Sequence, residues 1–451
     1  MVYITFFKLA PSLVDPCIPS VSMPTSQFFV PPPSIYIDNL HLDLLASFNV
    51  QVLNHKNDIV KYIEGITEEN KDLENNIYVY DLGTLHRTYQ QWESLFPGVA
   101  PYYAVKCNPD MGILKMLAYL GSGFDCASPA EIDRVLAIGV DPSRIIYANP
   151  CKREADIRYA DSRGIIYTTF DTLQELNKIA RCAPSMKCIL RLFATDPNAR
   201  CQLSNKFGAP RHMWVPLMER AMQLGLPIVG ISFHVGSGAC TPSAFSNAIE
   251  QCRELHDLLV QNGFTPQIID IGGGFMKDAL GSIPTFINDT IASVFPSNAT
   301  ATANANANAD TPKLHIIAEP GRFFAESCGT LVTKIIGLRE HNHAQRDYWI
   351  TDSIYGSFNC KLYDHIDPKP CVLSKNATSQ LYSTTLFGPT CDGMDTVLSD
   401  VMMPYLDYGD WIYFDNMGAY TISGASHFNG IPFPNAEVHY VYSQHDLQIQ
   451  K

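Results

Sequence analysis

Between Pro101 and Glu319 the sequence keeps one rhythm. Eight apolar runs, rich in β-branched and aromatic residues and separated by amphipathic stretches, end in turn at Lys106, Asp125, Asn149, Asp171, Arg191, His234, the glycines 272–274 and Glu319. Short apolar runs that stop at Asn, Asp, Gly or Pro and alternate with helical periodicity predict strands joined by helical crossovers. Eight such units over about 220 residues are what a closed parallel (β/α)8 barrel requires, and closure leaves no sheet edge to protect.

A barrel of this kind places its reactive groups at the C-terminal ends of the strands. Lys106, Asp125, Arg191, His234 and Glu319 each fall at such an end. Singly, each has a structural explanation: Lys106 can snorkel from the strand, Asp125 can cap a helix near Ser128, His234 can be a satisfied core imidazole, and Arg191 can pair with a carboxylate. Their convergence on one mouth is more than packing requires. Desolvation at a strand end is expected to lower the pKa of Lys106, leaving a neutral amine able to form a Schiff base with a carbonyl compound or pyridoxal phosphate.

Two motifs narrow the ligand. Asp270-Ile-Gly-Gly-Gly274-Phe275 follows the seventh run, and Glu319-Pro320-Gly321-Arg322 follows the eighth. Side-chain-free backbone and a guanidinium after strands seven and eight predict a phosphate site, although a tight turn alone would also account for the glycines.

Composition limits the partners. The net charge of −13 comes with no concentrated basic run, which argues against nucleic acid and anionic membrane and favours a cationic small substrate. No segment reaches membrane-spanning length, and the thirteen cysteines follow neither a disulfide framework nor zinc-ligand spacing. A cytoplasmic enzyme without structural metal is expected. Residues 1–34 read as a flexible N-terminal extension, 35–82 as the N-terminal part of a β-domain, 83–328 as the barrel with a low-complexity loop at 298–310, and 329–451 as the C-terminal β-domain. The second domain is thus built from both chain ends.

Tyr103-Ala-Val-Lys106-Cys-Asn108, Phe124-Asp125-Cys-Ala-Ser128, Phe233-His234-Val-Gly-Ser237-Gly238, Glu319-Pro-Gly-Arg322, Tyr355-Gly-Ser-Phe-Asn359, Phe387-Gly-Pro-Thr-Cys391-Asp392 and Asn416-Met-Gly-Ala-Tyr420-Thr421 resemble the signature blocks of eukaryotic ornithine decarboxylases, in the family's order. The resemblance implies a pyridoxal 5'-phosphate barrel enzyme with a β-sandwich or barrel-like second domain, active as a homodimer with shared active sites. It would convert L-ornithine to putrescine and CO2. Lysine and arginine decarboxylases of the same fold, and non-catalytic antizyme-inhibitor-like proteins, are the alternatives.

By position, the resemblance implies that Lys106 holds the cofactor covalently, Glu319 faces its pyridine nitrogen and His234 stacks on its ring. Ser237, Gly274, Pro320, Gly321, Arg322 and Tyr420 would hold the phosphate, with Asp125, Glu131 and Arg191 in support. Tyr363, Asp364 and Asp392 would bind the substrate and Cys391 would donate a proton, with part of this set supplied by a second subunit. Lys206 and Asp395 match a pair that bridges subunits, and an antizyme-like regulator is a further implied partner. Phe275-Met276 departs from the family's common Phe-Pro, and Pro129 and Lys361 are further departures. The chain stops soon after its last expected strand, so the degradation tail of animal members is not expected.

Overall fold

The computed structural model describes residues 47–69, 72–296, 314–373 and 379–444. The expected N-terminal extension, the start of the expected β-domain at 35–46 and the 298–310 loop lie outside the described residues. The first two strands are β1 (Gln51–Leu53) and β2 (Ile77–Asp81), separated by the amphipathic helix Asp58–Glu69.

The barrel follows. Its strands are β3 (Val99–Ala104), β4 (Gly123–Cys126), β5 (Ile145–Tyr147), β6 (Tyr167–Phe170), β7 (Lys187–Arg191), β8 (Ile228–Ser232), β9 (Ile268–Asp270) and β10 (His315–Ala318), closed in chain order by β10 against β3. The expected eight-stranded parallel barrel is therefore present. Several polar residues expected at strand ends lie just beyond them: after Ala104 the chain tightens into a 3-10 turn, Val105–Cys107, that carries Lys106.

The helices start where local chemistry tells them to. Ser128 and Thr172 each accept a hydrogen bond from the N–H of a glutamate three residues on, Glu131 and Glu175, at the starts of helices Pro129–Ala137 and Leu173–Cys182. Asp110 caps helix Met111–Leu120 through Gly112 and Ile113, and Gly121 ends it in the left-handed conformation.

The remaining strands are β11 (Gly329–Glu340), β12 (Gln345–Ile350), β13 (Pro370–Val372), β14 (Leu381–Phe387), β15 (Thr396–Pro404), β16 (Trp411–Phe414) and β17 (Glu437–Ser443). They join β1 and β2 in one nine-stranded mixed sheet ordered β1-β17-β2-β11-β12-β14-β15, with β16 pairing β11 and β13. β17 lies parallel to both β1 and β2, so both ends of the described chain enter the same sheet. The apolar pattern of the sequence predicts strands at 331–338, 347–352, 382–387, 410–414 and 436–442, and none over β15. Ser399-Asp400 interrupts its apolar pattern, Asp400 takes φ 56°, and the pairing with β14 shifts register between Thr384 and Phe387.

One aromatic cluster sets the height of the barrel's seventh and eighth loops. Trp92, on helix Leu82–Leu95, has its ring centroid 5.1 Å from Phe275 and 5.2 Å from Phe323, while Phe96 lies 5.2 Å from Phe275. All four rings are buried. Phe275 directly follows the triple glycine and Phe323 directly follows Arg322, so side chains worth about 1.5–3 kcal/mol each in burial anchor both loops from below. Among the described residues no helix is long and apolar enough to cross a membrane.

Asp81 ties the sheet to the barrel's entry helix. Its Oδ1 accepts from the N–H of Gly83 and of Ser443, both at 3.0 Å, and its Oδ2 accepts from Thr84 Oγ1 and Ser443 Oγ, both at 2.5 Å. Asp81→Ala strands four buried donors and is expected to lower unfolding stability by about 2–4 kcal/mol. A denaturant midpoint equal to wild type would show that this junction is dispensable.

Candidate active site

The pairing of β3 with β4 sets Ala104 beside Asp125, and the turn after β3 then brings Lys106 over the same carboxylate. Lys106 Nζ donates to Asp125 Oδ2, while 42 % of the lysine side chain stays accessible and Asp125 is fully buried. Desolvation pulls the lysine's pKa down, but Asp125 and Glu319 outweigh it and hold the amine above the ordinary lysine value. This corrects the expectation of a neutral amine: the ion pair, which the strand run alone does not reveal, wins over burial. Asp125 is not the helix cap; Ser128 has that role, and Glu131 closes the cap by accepting the Ala127 N–H at 2.6 Å.

Burial raises the pKa of Glu319, and the carboxylates of Asp270 and Asp125 raise it further. Asp270, wholly buried at the end of β9, accepts the Gly272 N–H at 2.9 Å and is pushed up to about 7, first by burial. His234 Nδ1 accepts the Gly236 N–H at 3.1 Å, which puts the ring's proton on Nε2. Burial, then Arg191 and Lys106, hold His234 well below the ordinary histidine pKa, so the imidazole is neutral. Arg191 lies 5.3 Å from the Phe207 ring centroid.

The glycine run has a tighter cause than a ligand. A Cβ at Gly272 would lie 2.1 Å from the Phe233 carbonyl, and one at Gly274 2.2 Å from the Gly236 carbonyl; both glycines have positive φ. The loops after β8 and β9 are packed backbone to backbone, so the run is required with or without phosphate. Pro320 offers no N–H, and its carbonyl accepts from Ala104 N at 3.3 Å, so this residue provides no donor. Arg322 is buried; its Nη1 donates to Glu326 at 2.9 Å, its Nη2 donates to Asp364, and its Nε has no hydrogen-bond partner. Tyr420, carried by the turn after β16, donates its N–H to Cys107 and presents its ring 5.1 Å from the Arg322 guanidinium.

Asp364 therefore sits between two guanidiniums: besides Arg322, Arg200 Nη1 lies 3.8 Å from it. Burial raises its pKa and the two guanidiniums oppose that. Its neighbour Tyr363 is 72 % exposed. Cys391 is an exposed free thiol in the turn between β14 and β15, and its N–H donates to Asn429 at 3.1 Å. Asp392 accepts from Met394 N at 3.0 Å and from the Tyr355 hydroxyl, which together hold it below the ordinary aspartate pKa. Lys106, Asp125, His234, Glu319 and Arg191 thus gather at one place; Tyr363, Cys391 and Asp392 lie on the β-domain surface.

Asp395 and Lys206 differ in exposure. Asp395 is 1 % exposed and accepts from Ser353, Ile354 and Thr390 of its own chain, while Lys206 is exposed beside Phe207. Both Asp395 oxygens are engaged within the chain. Sequence reading also passed over Asp270, absorbed into the glycine motif, and Arg200, which lies in a loop without periodicity.

The donor set fits a phosphate-bearing pyridoxal: an accessible amine, a neutral imidazole, buried acids, and two guanidinium nitrogens, Arg322 Nε and Arg200 Nη1, that are buried without an acceptor. Fold and site together define a pyridoxal-phosphate barrel enzyme. Residues 82–326 match the pyridoxal binding domain of the pyridoxal-dependent decarboxylases. The chain is 40 % identical over 399 residues to the ornithine decarboxylase of Rattus norvegicus, covering 84 % of this chain and 83 % of that one. It is also 40 % identical over 380 residues to antizyme inhibitor 2 of Xenopus laevis, covering 80 % of each. The arginine decarboxylase of Paramecium bursaria Chlorella virus, bound to agmatine, has the same fold, with a TM-score of 0.77 and 38 % identity over 84 % of this chain and all of the viral one. The chain belongs to the pyridoxal-dependent decarboxylases, and pyridoxal 5'-phosphate is its cofactor.

The buried acids give the cofactor-free protein a pH signature. Asp270 has a folded pKa raised from 3.8 to about 7. The stability it contributes is therefore full below the unfolded value and is lost as pH rises through the folded one. The Tm of the cofactor-free protein is expected to fall from pH 4 to pH 8, less steeply for Asp270→Asn. Identical slopes would show that this carboxyl is not perturbed.

Proposed function

We propose that this chain decarboxylates L-ornithine to putrescine and CO2, the entry reaction of polyamine synthesis, as a cytoplasmic homodimer. The observation that carries the reading is the Lys106–Asp125 ion pair set among Glu319, Asp270 and His234. In this reading residues 83–328 hold the cofactor, and 35–82 with 329–451 form the second domain.

Bound pyridoxal phosphate supplies an electron sink for the carbon that loses CO2. The chain's residues supply the rest. Lys106 would hold the cofactor through its amine, and Asp125 would hold the lysine's proton while that amine is free. Glu319 would face the pyridine nitrogen, where its carboxylate anion would favour the protonated ring. His234, uncharged, would offer its ring to the cofactor without adding a competing cation. Gly321, Arg322, Ser237, Gly274 and Tyr420 form the phosphate side, and Glu131 and Arg191 support the wall.

Asp364 and Asp392 recognise the distal ammonium, Tyr363 lines the approach, and Cys391 returns a proton to the reacting carbon. Cys391 and Tyr363 are exposed in a single chain, which supports a site completed by a second copy. Lysine is longer than ornithine by one methylene, a difference worth only about 1–3 kcal/mol, so some lysine turnover is expected. The antizyme inhibitor relative favours a second reading, a binding protein for an antizyme-like regulator. The intact ion pair at the mouth argues for catalysis, since binding a regulator needs no such pair.

Mixing tests both the chemistry and the sharing of the site. Lys106→Ala and Cys391→Ala homodimers are each expected to form almost no putrescine from ornithine. Their mixture, after subunit exchange, is expected to recover about a quarter of the wild-type rate, because half the dimers carry one intact site. An inactive mixture in which heterodimers are demonstrated would overturn the shared site. An inactive wild type would overturn the enzyme.

A further inference from the structure

We infer that Arg200 is a second guanidinium of the phosphate cradle, a cofactor-binding residue that this chain adds to Arg322. The inference rests on the pyridoxal phosphate reading above and concerns the same site.

Its placement is built, not incidental. The segment after β7 is zipped to the loop after β8: Cys201 N donates to Ser237 O at 3.0 Å, Ser237 N donates to Cys201 O at 2.9 Å, and Asp196 N donates to Val235 O at 2.8 Å. Asp196 locks the far end by accepting from Cys240 N and Thr241 N at 3.0 and 2.9 Å. Arg200 is thereby laid on Gly238, where an added Cβ would come within 3.0 Å of Arg200 Cβ and 2.9 Å of Met276 Sδ. Its Nη2 lies 3.3 Å from that sulfur. Gly238 and Met276 belong to the two loops, after β8 and β9, that carry Ser237 and Gly274.

Charge balance calls for a second cation here. Arg322 is held between two carboxylates, Glu326 and Asp364, so by itself it leaves this corner net negative. A phosphate dianion would be repelled from such a corner. Arg200 offsets the excess carboxylate, which frees the Arg322 charge for an incoming anion. Hydrogen bonding agrees. Arg200 Nη1 is shielded from solvent with no hydrogen-bond partner, since Asp364 at 3.8 Å is too far to accept, and Arg322 Nε is likewise unpartnered. Two orphaned guanidinium nitrogens beside one glycine-lined cradle match a group with several acceptor oxygens.

The test is a titration of cofactor-free wild type, Arg200→Met and Arg200→Lys with pyridoxal phosphate and, separately, with pyridoxal, which lacks the phosphate. Binding is followed by absorbance, and Tm confirms the fold. The expected result is a Kd for pyridoxal phosphate raised ten- to one-hundred-fold in Arg200→Met and at least threefold in Arg200→Lys, with the Kd for pyridoxal unchanged in both. If Arg200→Met does not fold, the lysine variant decides by the same comparison. Equal loss for both ligands, or an unchanged Kd for pyridoxal phosphate with a raised KM for ornithine, would overturn the inference. Failure of wild type to bind pyridoxal phosphate would instead overturn the functional reading beneath it.

Discussion

A charged amine held against a fully buried carboxylate is the interaction on which the rest of this site depends. Lys106, on the turn after β3, and Asp125, on the adjacent strand β4, form a pair that lets a cation stand where burial alone would discharge it. Removing Lys106 would leave a fully buried carboxylate without its cation. Around the pair, burial raises the proton affinities of Glu319 and Asp270, and neighbouring carboxylates, Asp125 among them, raise them further. The barrel mouth thus stores protons beside an amine and a neutral imidazole, as proton-transfer chemistry on a bound cofactor requires.

Holding that arrangement is the work of the frame. The aromatic cluster of Trp92, Phe96, Phe275 and Phe323 fixes the loops after β9 and β10 from beneath, while Gly272 and Gly274 let the loop after β9 press against the one after β8. The β-domain closes over the same side. Gly418 packs where a Cβ would lie 1.8 Å from the Ala325 carbonyl, which brings Tyr420 onto Arg322 and Cys107. A sheet drawn from both ends of the described chain thereby adds groups to a barrel lying between them in sequence.

Much of this was legible in the sequence because barrel strands are short, apolar and punctuated, and because the chemistry sits where the punctuation falls. Lys106, Asp125, Arg191, His234 and Glu319 could be placed together from periodicity alone. What periodicity does not encode is which partner each side chain chooses. The proton affinity of Lys106 turns on Asp125 being nearer than any apolar wall; Asp364 turns out to be tied to Arg322; Asp395 is consumed by its own loop; Pro320 spends its carbonyl on barrel closure. β15 escaped because a bulge at Asp400 breaks its alternation, and Arg200 because only the fold of two loops carries it to the cradle. Where the resemblance supplied roles, it supplied them by position, and position alone is blind to these local pairings.

The central claim is that the barrel mouth binds its cofactor through Lys106. It is tested most directly by reducing the cofactor-loaded protein with borohydride and mapping the modified peptide by mass spectrometry. The account predicts a single pyridoxyl-phosphate adduct on Lys106, absent after Lys106→Ala. An adduct on another lysine at equal yield, or none in a protein that has bound the cofactor, would contradict it.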